Sequence, residues 1–203
     1  MPPVITAQDI PSHGQLEVAT GTIVTPAARD LARERGVSIL ERPASQLRPP
    51  ANPARTVALG ADHGGYPLKE LLKPVLTELG YLILDVGAHS TQPVDYPDLA
   101  EQVALALCQG HAALGVMIDG AGIGSAMAAN KLPGIRASLC YDRASARNAR
   151  EHNAANVLTL GSRLLTPSQA EEVLRTWLAT PYAGGRHQSR IDKISALEKK
   201  YQK

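Results

Sequence analysis

Cysteine is scarce in this chain: there are two, Cys108 and Cys140, and no CxxC pair. That excludes a disulfide framework and a cysteine-built zinc site, and it fits a reducing cytoplasm. Metal-ligand spacing is also missing among the six histidines, no two of which stand at i,i+4 or at alternate strand positions, so no metal is expected. No apolar run approaches the ~18 residues of a membrane helix, and the N-terminal MPPVITAQDIPSHG has no basic stretch followed by an apolar core. Neither a membrane partner nor export is expected. Runs of Lys and Arg with interleaved aromatics are absent and the formal net charge is only +2, which gives no reason to expect nucleic acid. Small anionic ligands stay open.

What is there is ordinary globular material: 203 residues, 44% hydrophobic and 20% charged, enough for one full domain and a small appendage. The stretch ERPASQLRPPANPAR, with prolines at 43, 49, 50 and 53 and no apolar periodicity, reads as a semi-stiff linker over residues 41–55. It separates an N-terminal piece, residues 1–40, from a main domain, residues 56–203. In the N-terminal piece, short strands are expected at Gln15–Val18, Thr22–Val24 and Val37–Leu40. Between the last two lies a helix with Thr25 at its N-cap, Pro26 first inside and Gly36 just past its end. So few apolar residues do not make an independent core, and the piece is expected to pack on something else.

The main domain alternates strand and helix patterns. Strands are expected at Thr56–Ala61, Tyr81–Val86, Leu114–Ile118, Ile135–Cys140 and Val157–Leu160. Helices are expected at Leu68–Leu79, Leu99–Leu107, Ala144–Glu151 and Ser168–Leu178, with a last one from about Gln188. Five alternating strands imply an α/β fold with a five-stranded parallel sheet covered on both faces, and ligands in such sheets bind beyond the carboxyl ends of the strands. The polar residues gathered there are Asp62 and His63 after the first strand, Asp119 with Gly120-Ala121-Gly122-Ile123-Gly124 after the third, and Arg163 after the fifth. Asp95-Tyr96-Pro97 and Glu151-His152-Asn153 join them from neighbouring loops.

The glycine turn presents backbone N–H groups and a helix start to an anion, yet the carboxylate of Asp119 stands at its mouth. It follows the third strand rather than the first and lacks the GxGxxG spacing, which argues against a dinucleotide. His63 and His152 read either as buried structural histidines or as ligand-facing groups. Arg186 and Arg190, four apart, read either as a solvated tail or as a guanidinium pair for a phosphate.

The ordered segments ALGADHGGYPLKELL, VDYPDLAEQVA, GAGIGSAMAANKLPGIRA, AREHNAANVLTLGSRL and GGRHQSRID closely resemble the type B ribose-5-phosphate isomerase and galactose-6-phosphate isomerase family. The resemblance covers residues 57 to about 195. It implies a Rossmann-like three-layer α/β/α sandwich and cofactor-free interconversion of an aldose phosphate and a ketose phosphate, chiefly ribose 5-phosphate and ribulose 5-phosphate. It also implies a homodimer or homotetramer whose active sites are each built from two subunits. Carried over by motif, Asp62 and His152 help open the furanose ring and Tyr96 and Asn153 hold sugar hydroxyls. His63, Arg163, Arg186 and Arg190 hold the phosphate. The N–H groups of Gly120, Gly122, Ile123 and Gly124 stabilise the anionic intermediate.

Two positions depart from the family pattern. Many members carry a cysteine base just before the first glycine, where this chain has Asp119, and others a glutamate after the turn, where it has Ser125. Ala121 stands where a Ser or Thr hydroxyl is usual. Asp119 is expected to replace the cysteine as base, the alternatives being that it only caps the following helix or that the chain is a weak, partner-dependent or differently specific homologue. A separate resemblance, of GTIVTPAARDLARERGVSI to segments of bacterial microcompartment proteins, raises the expectation that residues 1–45 dock to a shell or cargo partner.

Overall fold

A computed structural model describes residues 4–10, 15–19, 21–42 and 52–201. The chain divides into two compact units, residues 1–49 and 50–203. In the expected linker, residues 43–51 lie outside the described residues, but its two ends do not: Glu41 and Arg42 finish a strand, and Pro53–Arg55 forms a 3-10 turn.

The first unit holds β1 (Val4–Ile5), β2 (Gln15–Ala19), β3 (Ile23–Val24), α1 (Pro26–Glu34) and β4 (Ser38–Arg42). β1 pairs parallel with β3, and β2 parallel with β4. As expected, Thr25 caps α1, its Oγ1 accepting from Ala28 N at 3.3 Å, with Pro26 in the first turn. The unit has a small core of its own, in which Ile10, Val24, Ala28, Ala32 and Val37 are buried together.

The second unit is a five-stranded, fully parallel sheet formed by β5 (Thr56–Ala61), β6 (Leu82–Gly87), β7 (Leu114–Asp119), β8 (Ala137–Leu139) and β9 (Val157–Gly161), in the order β6-β5-β7-β9-β8. Between and after them run α2 (Tyr66–Glu78), α3 (Tyr96–Cys108), α4 (Ile123–Ala129), α5 (Arg143–Glu151), α6 (Pro167–Ala179) and α7 (Gln188–Tyr201). Strand alternation sorts the core into two layers. Val57, Leu59, Val116, Ile118, Leu158 and Leu160 face α2, α5 and α6 around the fully buried Trp177. Ala58, Met117 and Val157 face α3 and α4. The sandwich is therefore the expected three-layer α/β/α arrangement.

Several boundaries differ from the periodicity for identifiable reasons. α2 and α3 begin at Tyr66 and Tyr96, before their apolar stripes, because Pro67 and Pro97 suit the first helical turn, where no N–H partner is needed. Tyr96 is thus the first residue of a helix and not a loop residue. β8 is shorter than expected: it lies at the sheet edge, and Ile135 is taken by a turn bond from its N–H to Leu132 O.

A charged knot ties α2 to the end of β6. Lys69 has no exposed side-chain surface, and its Nζ donates to Asp85 Oδ1 and to Ala88 O, both at 2.6 Å. Lys73 reaches the other oxygen of Asp85 at 2.6 Å. Burial pushes the Asp85 carboxyl up, but the Lys69 and Lys73 ammonium groups outweigh it and hold Asp85 below the usual carboxylate range. Removing the carboxylate strands a buried ammonium. Asp85→Asn is expected to cost about 3 kcal/mol at neutral pH, measured by urea denaturation. Because the folded-state value is depressed, the carboxylate's contribution is present above about pH 4 and lost as the pH falls through the folded value. The gap between wild type and variant should therefore close in acid.

Candidate active site

The carboxyl ends of β5, β7 and β9 meet through parallel register, Ala61 opposite Ile118 and Asp119 opposite Gly161. This gathers the first group of sequence-derived site residues. Asp62 is buried, and its Oδ1 accepts from Gly65 N at 2.7 Å, which folds the loop into the start of α2. His63 Nδ1 lies 3.2 Å from Val94 O and 3.3 Å from Val94 N, so the ring is held by the loop before Tyr96 and Nε2 is the edge left for a ligand. Arg163 follows β9 and bonds through its N–H to Gly120 O at 3.0 Å. Its side chain runs close over Gly120, 3.6 Å from where a Cβ would stand.

The turn between β7 and α4 depends on Asp119. Gly122 takes φ +75°, a left-handed conformation that costs other residues more. This points the following N–H groups back at the strand end. Asp119 Oδ1 accepts from Ala121 N at 2.7 Å and from Gly122 N; Oδ2 accepts from Ser125 N at 3.1 Å and from the Ser125 hydroxyl. The carboxylate is 4% exposed and Ser125 is fully buried. A carboxylate offers about four lone-pair sites, so these four donors fill it. Of the N–H groups expected to meet an anionic intermediate, Gly122 is therefore already engaged. Ile123 and Gly124, as the first two residues of α4, have no intrahelical acceptor by position. A Cβ on Gly124 would come within 2.5 Å of the Tyr96 ring, so the tyrosine is packed directly on this first turn.

His152 and Asn153 are elsewhere, which corrects the expectation that they join the carboxyl-end set. His152 caps the C-terminus of α5, and helices in this sandwich run back toward the strand starts. Asn153 O accepts from Arg136 Nε at 3.2 Å, just before β8, and the nearby Asn156 O accepts from Gly115 N at the start of β7. The loop therefore lies at the amino ends of β7, β8 and β9, a strand length or about 15 Å from Asp119. Arg186 and Arg190 belong to this second group: Ala183 N bonds to Glu151 O at 3.0 Å, and Arg190 Nη1 bonds to Arg186 O at 3.0 Å. Within one protomer Asp62 and His152 cannot act on the same sugar.

None of Arg163, Arg186 and Arg190 pairs with a carboxylate among the described residues. Two partners went unread from sequence. His187 stacks on His152 with ring centroids 4.3 Å apart, and Asn148 Nδ2 lies 2.9 Å from His152 Nδ1. The histidine inside GGRHQSR was the available signal for the first; the second needed the i,i+4 relation on α5. Cys140 is buried, and burial pushes its thiol up to about 11, which leaves it inert as a nucleophile at neutral pH. Among the described residues no helix is long and apolar enough to cross a membrane.

Comparison with known proteins agrees with this fold. The family model described as Ribose/Galactose Isomerase matches residues 57–194. Ribose-5-phosphate isomerase B of Escherichia coli is 42% identical over 146 residues, covering 72% of this chain and 98% of that protein. The solved ribose-5-phosphate isomerase B of Clostridium thermocellum has a TM-score of 0.71 at 44% identity, covering 72% of this chain and 99% of that one. The type B enzyme of Trypanosoma brucei gives a TM-score of 0.69 at 46% identity, covering 71% and 99%. With its strand order, glycine turn and polar strand ends in place, the chain belongs to the ribose/galactose isomerase family.

Proposed function

We propose that this protein is a cofactor-free aldose-ketose isomerase interconverting ribose 5-phosphate and ribulose 5-phosphate through an enediolate, acting as a homodimer or larger homo-oligomer with shared sites. The observation that carries this is the split of a family-typical residue set between the two ends of one parallel sheet. Asp62, His63, Tyr96, the glycine turn and Arg163 form one half; His152, Asn153, Arg186 and Arg190 form the other. A second copy presenting its amino-end group to the carboxyl-end group completes a sugar-phosphate site, and symmetry then makes two.

In the completed site, three arginines and the free edge of His63 suit a phosphate dianion, with fork geometry available from each guanidinium. Asp62 and His152 move the proton that opens the furanose ring, while Tyr96 and Asn153 hold hydroxyls. The base then takes the C2 proton and the C1 carbonyl becomes an enediolate oxygen. The proton returns to C1 while the C2 hydroxyl proton passes to O1, leaving a C2 carbonyl and a C1 hydroxyl. Gly120, Ile123 and Gly124 are the N–H groups of the turn left to meet the developing charge, with Gly122 supporting Asp119. Each such donor is worth about 3 kcal/mol by analogy with oxyanion holes.

Asp119 is the proposed base because it occupies the position of the family cysteine. Three of its four donors are backbone N–H groups that cannot leave; the Ser125 hydroxyl can rotate away. Proton transfer at Asp119 therefore uses the oxygen that Ser125 releases. The filled, buried carboxylate also favours a second reading, in which Asp119 only caps α4 and the chain binds sugar phosphate without turning it over.

Deuterium incorporation at C2 of ribose 5-phosphate in heavy water separates these readings. Exchange by the wild type supports the isomerase, whereas calorimetric binding without exchange supports the second. Asp119→Asn places an amide N–H against turn donors and is expected to cost about 2 kcal/mol of stability in either case. If Asp119 is the base, the folded variant also loses exchange by about a thousandfold or more while ribose 5-phosphate binding stays within about threefold. Gly124→Ala is expected to displace Tyr96 and raise KM about tenfold with little change in kcat, checked by steady-state kinetics.

For residues 1–45 we propose docking to a microcompartment shell or cargo partner, and with it a cytoplasmic or microcompartment-enclosed location. The support is the sequence resemblance of residues 21–39, which span β3, α1 and the start of β4 in a unit that has its own small core. Co-localisation of a reporter carrying residues 1–55 with shell proteins tests this, and a diffuse reporter would contradict it.

A further inference from the structure

The His152 and His187 rings lie 8° from parallel, and their contact joins separate elements. His152 caps α5, while His187 ends the 3-10 turn Gly185–His187 that leads into α7. Each ring has a donor at one edge. Asn148 Nδ2 faces His152 Nδ1 at 2.9 Å, and Arg186 Nε faces His187 Nε2 at 3.5 Å. Amide and guanidinium N–H groups donate, so both of these ring nitrogens accept. The proton of neutral His152 then sits on Nε2, which lies 3.9 Å from Glu151 Oε1.

A histidine χ2 is soft, so a half-exposed ring does not hold one plane by itself. His152 is in that situation, with 36% of its side chain exposed. Asn148 holds the Nδ1 edge, and the stack adds a flat surface that limits the ring to one plane. His187 in turn follows Arg186 directly and precedes Arg190, whose Nη1 bonds to Arg186 O at 3.0 Å. The imidazole that acts at the sugar ring and the arginines that hold the phosphate are thus in mechanical contact through His187.

We propose that His187 is a positioning residue: its ring fixes the plane of His152, and it transmits phosphate engagement at Arg186 and Arg190 to the edge of His152 that meets the sugar. This rests on the isomerase reading for the role of His152, but the stack and its response to phosphate do not. The electrostatics agree with a ring that supports without adding charge. His187 is held below the ordinary histidine range, first by partial burial, then by His152, Arg186 and Arg190, against the opposing pull of Glu151. A phosphate dianion on the two arginines cancels their part of that lowering.

The test uses the full-length protein with His187→Ala and His187→Phe, plus His187→Gln where the alanine variant does not fold. His187→Ala is expected to lower kcat for ribose 5-phosphate by about tenfold or more while inorganic phosphate, as a competitive inhibitor, binds within about threefold of wild type. His187→Phe keeps the flat ring and is expected to recover kcat to within about threefold. An unchanged kcat in the alanine variant, an equal loss of phosphate affinity, or a phenylalanine variant as impaired as alanine would each overturn the proposal. Imidazole NMR gives a readout independent of turnover. Inorganic phosphate should raise the titration midpoint of His187 in the wild type and shift the His152 ring resonance, and the His152 shift should vanish in His187→Ala. A His152 shift of equal size in both proteins contradicts the coupling even if the protein turns over no ribose 5-phosphate at all.

Discussion

The parallel pairing of β7 between β5 and β9 decides almost everything about where chemistry can occur. Parallel strands put every strand-to-helix loop at one end of the sheet and every helix-to-strand loop at the other. Asp62, Asp119 and Arg163 leave their strands in the same direction and converge. His152 and Asn153 arrive before β9 and are left at the opposite end, together with the segment bearing Arg186 and Arg190. If the two groups work as one site, as proposed, that site takes two copies of the chain.

At the carboxyl end, the organising group is the Asp119 carboxylate. It collects three N–H groups and one hydroxyl from the turn and α4, and so makes a seven-residue helix begin where it does. The charge that looks misplaced in the sequence is the partner of the turn's own donors. In the proposed mechanism this leaves the outer N–H groups of the turn for the substrate, and it makes Ser125 the group on which proton transfer at Asp119 depends. The Lys69–Asp85 pair does comparable work beside it, tying α2 to the end of β6 and to Ala88, whose N–H reaches Ala61 O next to Asp62.

The layers, the strand count and the glycine turn were legible in the sequence because apolar periodicity and glycine spacing are local properties. Helix starts were harder: Pro67 and Pro97 admit a polar first turn ahead of the apolar stripe, which is why Tyr96 looked like a loop residue. The position of His152 was misread for a geometric reason. Standing just before a strand and just after one look alike in a one-dimensional pattern, yet they are a strand length apart in space. His187 went unread because it sits between two arginines whose expected role at a phosphate accounts for the motif without it. Only the packing of α7's leading turn against α5 reveals its partner. Asp119 was legible as a conflict, but its four donors come from a turn whose closure depends on the left-handed Gly122.

The central claim is that each site takes one half from each of two copies, and complementation tests it most directly. Asp62→Asn and His152→Ala variants, each inactive alone, are mixed, unfolded together and refolded. The account predicts that activity returns in the mixture, because a heterodimer carries one site with both residues intact, approaching about a quarter of wild type when assembly is random. A mixture as inactive as the separate variants, from dimers shown to have exchanged subunits, would contradict it.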